Sequence, residues 1–429
     1  MSLPPVSSPL SSSSEKTHRW SWTICVVLLF ATLISYLDRQ SFSVMAPVIG
    51  EELSLDNERL GVVLSAFFLA YGVMHLFVGF FLDRFNIRWT YAAFVLLWSI
   101  SQLLTGFAQT FATLFACRFA LGIFEAAGQT GAARIISRIF DKDNRTLANG
   151  IMMSGGSLGA LIAPPLMILL HHTVGWRTGF VILGLLGFVW VMVWLSVFRP
   201  SPDHQVMATA RKNRALPGES WGMILRTPRF WACVAGAMFG IPIIHVAGAW
   251  LPTYFMQSWN LGMKTDLAVY LTLIYLAFDV SLIVSGLLVR RAIRRGVPPG
   301  LARKRVLAVA GLLMGSAAFL FAAPSVGVAV ALMFLLNLGR AAFGSIFLSF
   351  NQEIAPSRVG TIAGIMGAIG AFSGSALVYL IGKITAHGSF GLPFAVVGII
   401  GVVGTLALLA VNWDVDSSQP TAKAEPSAP

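Results

Sequence analysis

Apolar runs of about 20 residues recur along the chain, separated by short polar breaks. A helix of that length crosses the roughly 30 Å hydrocarbon core of a bilayer with its backbone groups bonded internally. Such runs lie near 20–45, 58–82, 90–109, 112–138, 147–172, 179–198, 229–257, 266–289, 304–323, 327–353, 360–386 and 391–412. The longest polar connection, 200–228, contains Pro200-Ser-Pro-Asp203, Arg211-Lys-Asn-Arg214 and Pro217-Gly-Glu-Ser220. It separates a first half, 20–199, from a second, 229–413. The Ser/Pro-rich tails 1–19 and 414–429 are expected to be disordered.

The halves repeat one another. A shift of 214 residues carries Gly150-Ile-Met152 onto Gly364-Ile-Met366, Gly156 onto Gly370, Phe180 onto Phe394, Gly184 onto Gly398 and Gly187 onto Gly401. Parallel repeats of this kind predict two six-helix bundles related by a pseudo-twofold axis along the membrane normal. Substrate then binds between the bundles, which rock about it.

Composition agrees. Of 429 residues, 56% are hydrophobic and 11% charged, against about 25% charged in soluble proteins. The chain reads as an all-α polytopic membrane protein whose partner is the lipid bilayer, and a functional monomer is expected. The net charge of +12 would suggest nucleic acid, but 23 of the 30 Lys and Arg fall on termini and loops sharing one side. Four fall on the other side (Arg59, Arg177, Lys264, Lys383) and three inside spans (Arg39, Arg118, Arg340). That bias orients a membrane protein with both termini in the cytoplasm, and no nucleic-acid partner is needed to explain it. Cys25, Cys117 and Cys233 lie in apolar runs with no metal or disulfide spacing. No metal or cofactor is expected. Carboxylates and arginines divided among membrane helices, with no nucleophile–base set, also argue against an enzyme.

Intramembrane charges are costly and mark function. Segment 4 carries Arg118 and Glu125 seven residues apart on one helix face, with Gly122 between them and Gln129 beyond. Segment 1 carries Tyr36-Leu-Asp-Arg39. Tyr36 and Arg39 share a face, while Asp38 points about 100° from Arg39. Tyr36 and Arg39 are therefore placed toward a central cavity, and Asp38 toward segment 4 with Arg118 as its partner. One buried ion pair can be merely structural; two in one bundle shift the balance to function. Tyr71 is a candidate substrate donor, with His75 on the same face read as structural. In segment 7, His245 and Trp250 suit stacking on a sugar ring. Asp279, Asn337 and Arg340 form a secondary buried set in which Asp279 and Arg340 are expected to pair.

Between segments 2 and 3 stands Gly79-Phe-Phe-Leu-Asp83-Arg84-Phe-Asn-Ile-Arg88. It resembles the loop motif of the major facilitator superfamily, with Asn86 where glycine is usual and Trp89 where a basic residue is usual. The second-half counterpart, Gly286-Leu-Leu-Val-Arg290-Arg291, lacks the acid. The resemblance implies a gating role for Gly79, Asp83, Arg84 and Arg88, with Gly79 permitting close helix approach. Tyr36-Leu-Asp-Arg-Gln40 with Ala46-Pro47, Phe124-Glu-Ala-Ala-Gly128, and Leu158 through Pro165 resemble the anion:cation symporter branch, within it the hexuronate and other sugar-acid transporters. The arrangement of Gly155, Gly156, Gly159, Pro164 and Pro165, prolines expected to bend segment 5, does not resemble the superfamily's antiporter motif for this segment. Gly367 and Ala371 stand where aldonate transporters offer asparagines, which favours a hexuronate.

The resemblance thus implies a major facilitator fold of 12 transmembrane helices in a bacterial inner membrane. It also implies a proton-coupled symporter importing a small organic anion such as a hexuronate. In that scheme Arg39 anchors the carboxylate with Tyr36 and Tyr71, while Asp38, Glu125 and Arg118 handle protons. Desolvation favours a protonated carboxyl and a nearby arginine an ionised one, so both carboxylates are candidate proton carriers. The alternatives are an exporter or antiporter of an aromatic anion, and a transporter-like sensor.

Overall fold

The computed structural model describes residues 10–140, 142–198, 220–355 and 358–414, with side chains from Arg19 onward. Among these residues every regular element is helical. Helix α1 spans Leu10–Glu52, beginning inside the stretch expected as a tail and running through Pro47. Helices α2 (Asn57–Arg84), α3 (Ile87–Thr105) and α4 (Phe111–Ile139) follow. The next helical stretch, Lys142–Val197, has 56 residues, about 84 Å of helix and far more than one crossing. Its backbone breaks at Gly175 (φ 81°, ψ 154°), a conformation open to glycine and strained for other residues. This divides it into α5 (142–174) and α6 (176–197). Pro164 and Pro165 stay inside α5 with helical dihedrals, and the break at Gly175 falls in the gap between the apolar runs 147–172 and 179–198.

The second half supplies α7 (Pro228–Trp259), α8 (Thr265–Arg294), α9 (Pro299–Ala322), α10 (Val326–Ile354), α11 (Val359–Thr385) and α12 (Gly391–Leu409). With α5 and α6 taken as one run, ten stretches are long and apolar enough to cross a membrane. Dividing that run and adding the 19-residue α3 gives twelve crossings. A short helix, Trp221–Arg226, leads into α7; residues 200–219 of the linker lie outside the described residues. Outward apolar side chains such as Leu312 (79% exposed) and Phe321 (70%) are affordable only against lipid.

The repeat holds in the packing. A Cβ on Gly184 of α6 would lie 2.5 Å from Leu103 Cβ of α3, and one on Gly398 of α12 would lie 3.3 Å from Ala317 Cβ of α9. Both members of the first pair, shifted by 214, give the second. Gly156 of α5 likewise abuts Tyr36 of α1, and its counterpart Gly370 of α11 abuts Ile241 of α7. Small residues at these positions let the helix axes approach.

The two ends of the bundle are joined differently. At the end away from the basic loops, hydrogen bonds cross between the halves. Asn57 and Gln257 exchange amide bonds of 2.8 and 3.1 Å, and Asn57 also donates to the Thr385 carbonyl at 3.3 Å. Ser43 donates to the Gly248 and Ala249 carbonyls at 2.5 and 2.6 Å, and Ser375 to the Ser65 carbonyl at 2.9 Å. At the basic end the ion pairs Asp83–Arg134 and Arg303–Glu353 (2.5 Å) stay within one half each. Among the described residues, these hydrogen bonds between the halves gather at the end away from the basic loops.

Candidate functional site

Three helices of the first half converge on Arg39. Ser35 and Arg39 are one turn apart on α1 and both reach Glu125 of α4. Arg39 Nη2 and Nε donate to Glu125 Oε1 at 2.6 and 3.2 Å, and Ser35 Oγ donates to the same oxygen at 2.8 Å. The Arg39 side chain is 16% exposed and that of Glu125 is 0% exposed. Three rings frame the guanidinium, Tyr36 at 5.0 Å, Phe67 at 4.9 Å and Tyr71 at 5.1 Å. Gln129, one turn past Glu125, donates to the Tyr36 hydroxyl at 3.1 Å. The approach of α4 to α2 depends on Gly122, where any Cβ would collide with the Phe67 carbonyl.

This geometry corrects the expected pairing. Asp38 is fully buried, yet neither carboxylate oxygen has a hydrogen-bond partner. Arg118 is 2% exposed, and its Nε and Nη1 are also without partners. Its guanidinium lies 4.6 Å from the Phe42 centroid and 4.9 Å from that of Phe67. Asp38 and Arg118 remain electrostatic neighbours without forming an ion pair, and Gln102 of α3 donates to the Asp38 backbone carbonyl at 3.5 Å. Arg39 is accordingly not a free anchor standing apart from the proton-handling residues: Glu125 already occupies it. Glu125 Oε2 remains unsatisfied. The cluster thus holds two arginines and two carboxylates whose charges cancel when all are ionised, with hydrogen-bonding capacity unused on three of the four.

Two further expectations are overturned. Trp250 is fully buried, donates from Nε1 to the Val378 carbonyl at 3.0 Å, and packs where Gly61 and Gly382 meet. It belongs to the seal between the halves and offers no face to a sugar. Asp279 and Arg340 form no ion pair. Arg340 Nε donates to Asn337 Oδ1 at 2.7 Å and Nη1 to the Ile244 carbonyl at 3.0 Å. His245 and Tyr71 do reach the interior. His245 packs on Phe68 at 4.3 Å between ring centroids, and Tyr71 on His75 at 4.4 Å.

In the loop after α2, Asp83 bridges to Arg134 of α4, Arg84 is exposed, and Arg88 donates to the Leu195 carbonyl at 2.5 Å. Gly79 faces open space, so no close approach of helices depends on it in this conformation. Asn86, the departure from the usual glycine, caps α3 by accepting from the Arg88 amide at 3.0 Å. Sequence reasoning missed Ser35, Phe67, Gln102 and the Tyr275 hydroxyl, which donates to Gln40 at 3.3 Å. Only Ser35 had a visible signal, its one-turn spacing from Arg39.

Hydrogen bonds joining the halves at one end, a repeat and a charged cluster at mid-span describe a transport architecture, and one comparison decides the family. Residues 28–378 match the model of the Major Facilitator Superfamily.

The chain belongs to the major facilitator superfamily.

Among its major facilitator relatives, a probable sulfoacetate transporter of Cupriavidus necator is 31% identical over 419 residues, covering 93% of this chain and 95% of that protein. The hexuronate transporter of Escherichia coli is 25% identical, covering 93% and 94%. A probable L-galactonate transporter of the same organism is 26% identical, covering 93% and 91%. A bacterial homologue of the human lysosomal transporter Spinster, crystallised inward-facing and occupied, shares the fold at a TM-score of 0.70 and 18% identity, covering 91% and 93%. The chain is therefore an integral membrane transporter and not an enzyme.

Proposed function

We propose that this transporter imports a small organic acid together with protons. The observation that carries the reading is the buried Arg39–Glu125 pair, sharing its pocket with the unpartnered Asp38 and Arg118. With both carboxylates ionised the cluster is neutral and Arg39 is occupied. Protonating Glu125 frees Arg39 and leaves one surplus positive charge, which favours an incoming carboxylate or sulfonate. A guanidinium suits either group because it offers parallel donors. Tyr36 and Tyr71 flank the freed arginine and complete the pocket. Asp38 is the second proton carrier, with Arg118 stabilising its ionised form.

The bias of the basic loops supports a cytoplasmic position for the end they occupy, and the hydrogen bonds between the halves at the opposite end support an inward-open reading of this conformation. Carrying one anion inward against an inside-negative potential costs about 2.3 kcal/mol per 100 mV, and each co-transported proton offsets one such charge. The sugar acids and sulfoacetate named for the relatives set the substrate class to test first.

In proteoliposomes, glucuronate and sulfoacetate uptake should respond to an inward proton gradient, and Arg39→Ala should abolish binding of whichever is carried. Uptake indifferent to an inward gradient and driven by an outward one would instead identify an antiporter.

A further inference from the structure

Arg340 is a buried charge that the proton-coupling site leaves unused. It is 5% exposed on α10 and lies 4.6 Å from the centroid of Phe278. Its two protein hydrogen bonds run from Nε and Nη1 to neutral acceptors, the Asn337 amide and the Ile244 carbonyl. Nη2 donates to no described residue, and among the described residues no carboxylate forms an ion pair with it. Neutral acceptors that fix a guanidinium without cancelling its charge build a socket for an anion.

Two chains of contacts connect this socket to Arg39. Ile244 precedes His245, whose ring packs on Phe68 at 4.3 Å, and the adjacent Phe67 lies 4.9 Å from Arg39. On the other side, Phe278 is three residues from Tyr275, which donates to Gln40 at 3.3 Å, and Gln40 follows Arg39. The electrostatic neighbours of Arg340 are Tyr275 and Asp279 of its own half and Tyr36 of α1, whose ring lies 5.0 Å from Arg39. The two arginines belong to different bundles.

We propose that the substrate is a small dianion with a carboxylate or sulfonate at each end, one held by Arg39 and the other by Arg340. The proposal rests on the organic-anion symport reading and narrows it. A ligand bridging the bundles rewards their closure around it, which a monoanion on Arg39 alone does not. Its two negative charges also match the two candidate proton carriers, Asp38 and Glu125, so that import with two protons is electroneutral.

The test is equilibrium binding to the purified full-length protein of two pairs of ligands that differ by one acid group, gluconate against glucarate and butyrate against succinate. Within at least one pair the dianion should bind about tenfold or more tightly, and Arg340→Gln should collapse that ratio toward one. Arg39→Gln should weaken both members of the pair. Equal wild-type affinities within both pairs would overturn the proposal while leaving organic-anion transport intact, and they decide the matter even if Arg340→Gln does not fold. A dianion preference that survives in a folded Arg340→Gln protein would also overturn it. Binding absent for all four ligands would overturn the dianion proposal, and binding unaffected by Arg39→Gln would overturn the underlying reading as well.

Discussion

Replacing Glu125 with glutamine keeps the shape of the side chain and removes its charge, which imitates permanent protonation. In the wild type, two donors of Arg39 converge on one oxygen of Glu125, the shorter bond being 2.6 Å. A hydrogen bond between charged partners contributes about 1.5–3 kcal/mol. Two bonds sharing one acceptor sit within that range rather than at twice its value. An incoming acid must displace this interaction before it can use Arg39. Glutamine still accepts a hydrogen bond, so the variant recovers the lower part of the range, roughly a tenfold gain in substrate affinity at neutral pH. Any pH dependence of affinity that arises from this displacement should be absent in Glu125→Gln. In proteoliposomes the variant should exchange substrate across the membrane and fail to accumulate it under an inward proton gradient. Accumulation against a concentration gradient, or weaker binding than wild type at neutral pH, would refute this role for Glu125.

Gly122→Val forces a side chain into the Phe67 carbonyl at the α2–α4 contact. It should cost about 1–3 kcal/mol of stability, visible as a lower melting temperature, whereas the same change at Gly79, which faces open space, should be nearly silent. Asn57→Ala removes the amide exchange with Gln257 and the bond to Thr385. It should shift the population toward the conformation open at this end, raising the labelling rate of a cysteine introduced there.

The fold was readable because membrane helices announce themselves by length and apolarity, and because the 214-residue repeat is carried by glycines at contact positions. Gly184 against Leu103 and Gly398 against Ala317 turn that repeat into packing. The break between α5 and α6 was readable as the gap between the apolar runs 147–172 and 179–198; the structure sharpens it to the left-handed backbone at Gly175, while the helix absorbs Pro164 and Pro165. The members of the charged cluster were also readable, since a charge inside an apolar run stands out whatever its partner. The pairing was not. Spacing along α1 separates Asp38 from Arg39, but which of them meets Glu125 depends on how α1 is rotated against α3 and α4, a matter of packing at Gln102 and Ser35. Trp250 shows the same limit. An aromatic residue in a bent helix can face a ligand or close a seam, and only the meeting of Gly61 with Gly382 assigns it to the seam.

The link between Glu125, Arg39 and the substrate is tested most directly by counting the protons that accompany binding. Calorimetric titration of the transported acid in buffers of different ionisation enthalpy gives that number without any flux. Near neutral pH the wild type should take up protons as the anion binds, and Glu125→Gln should take up fewer by about one. Binding to the wild type with no proton uptake, or an equal uptake in Glu125→Gln, would contradict the exchange of Glu125 for substrate on Arg39.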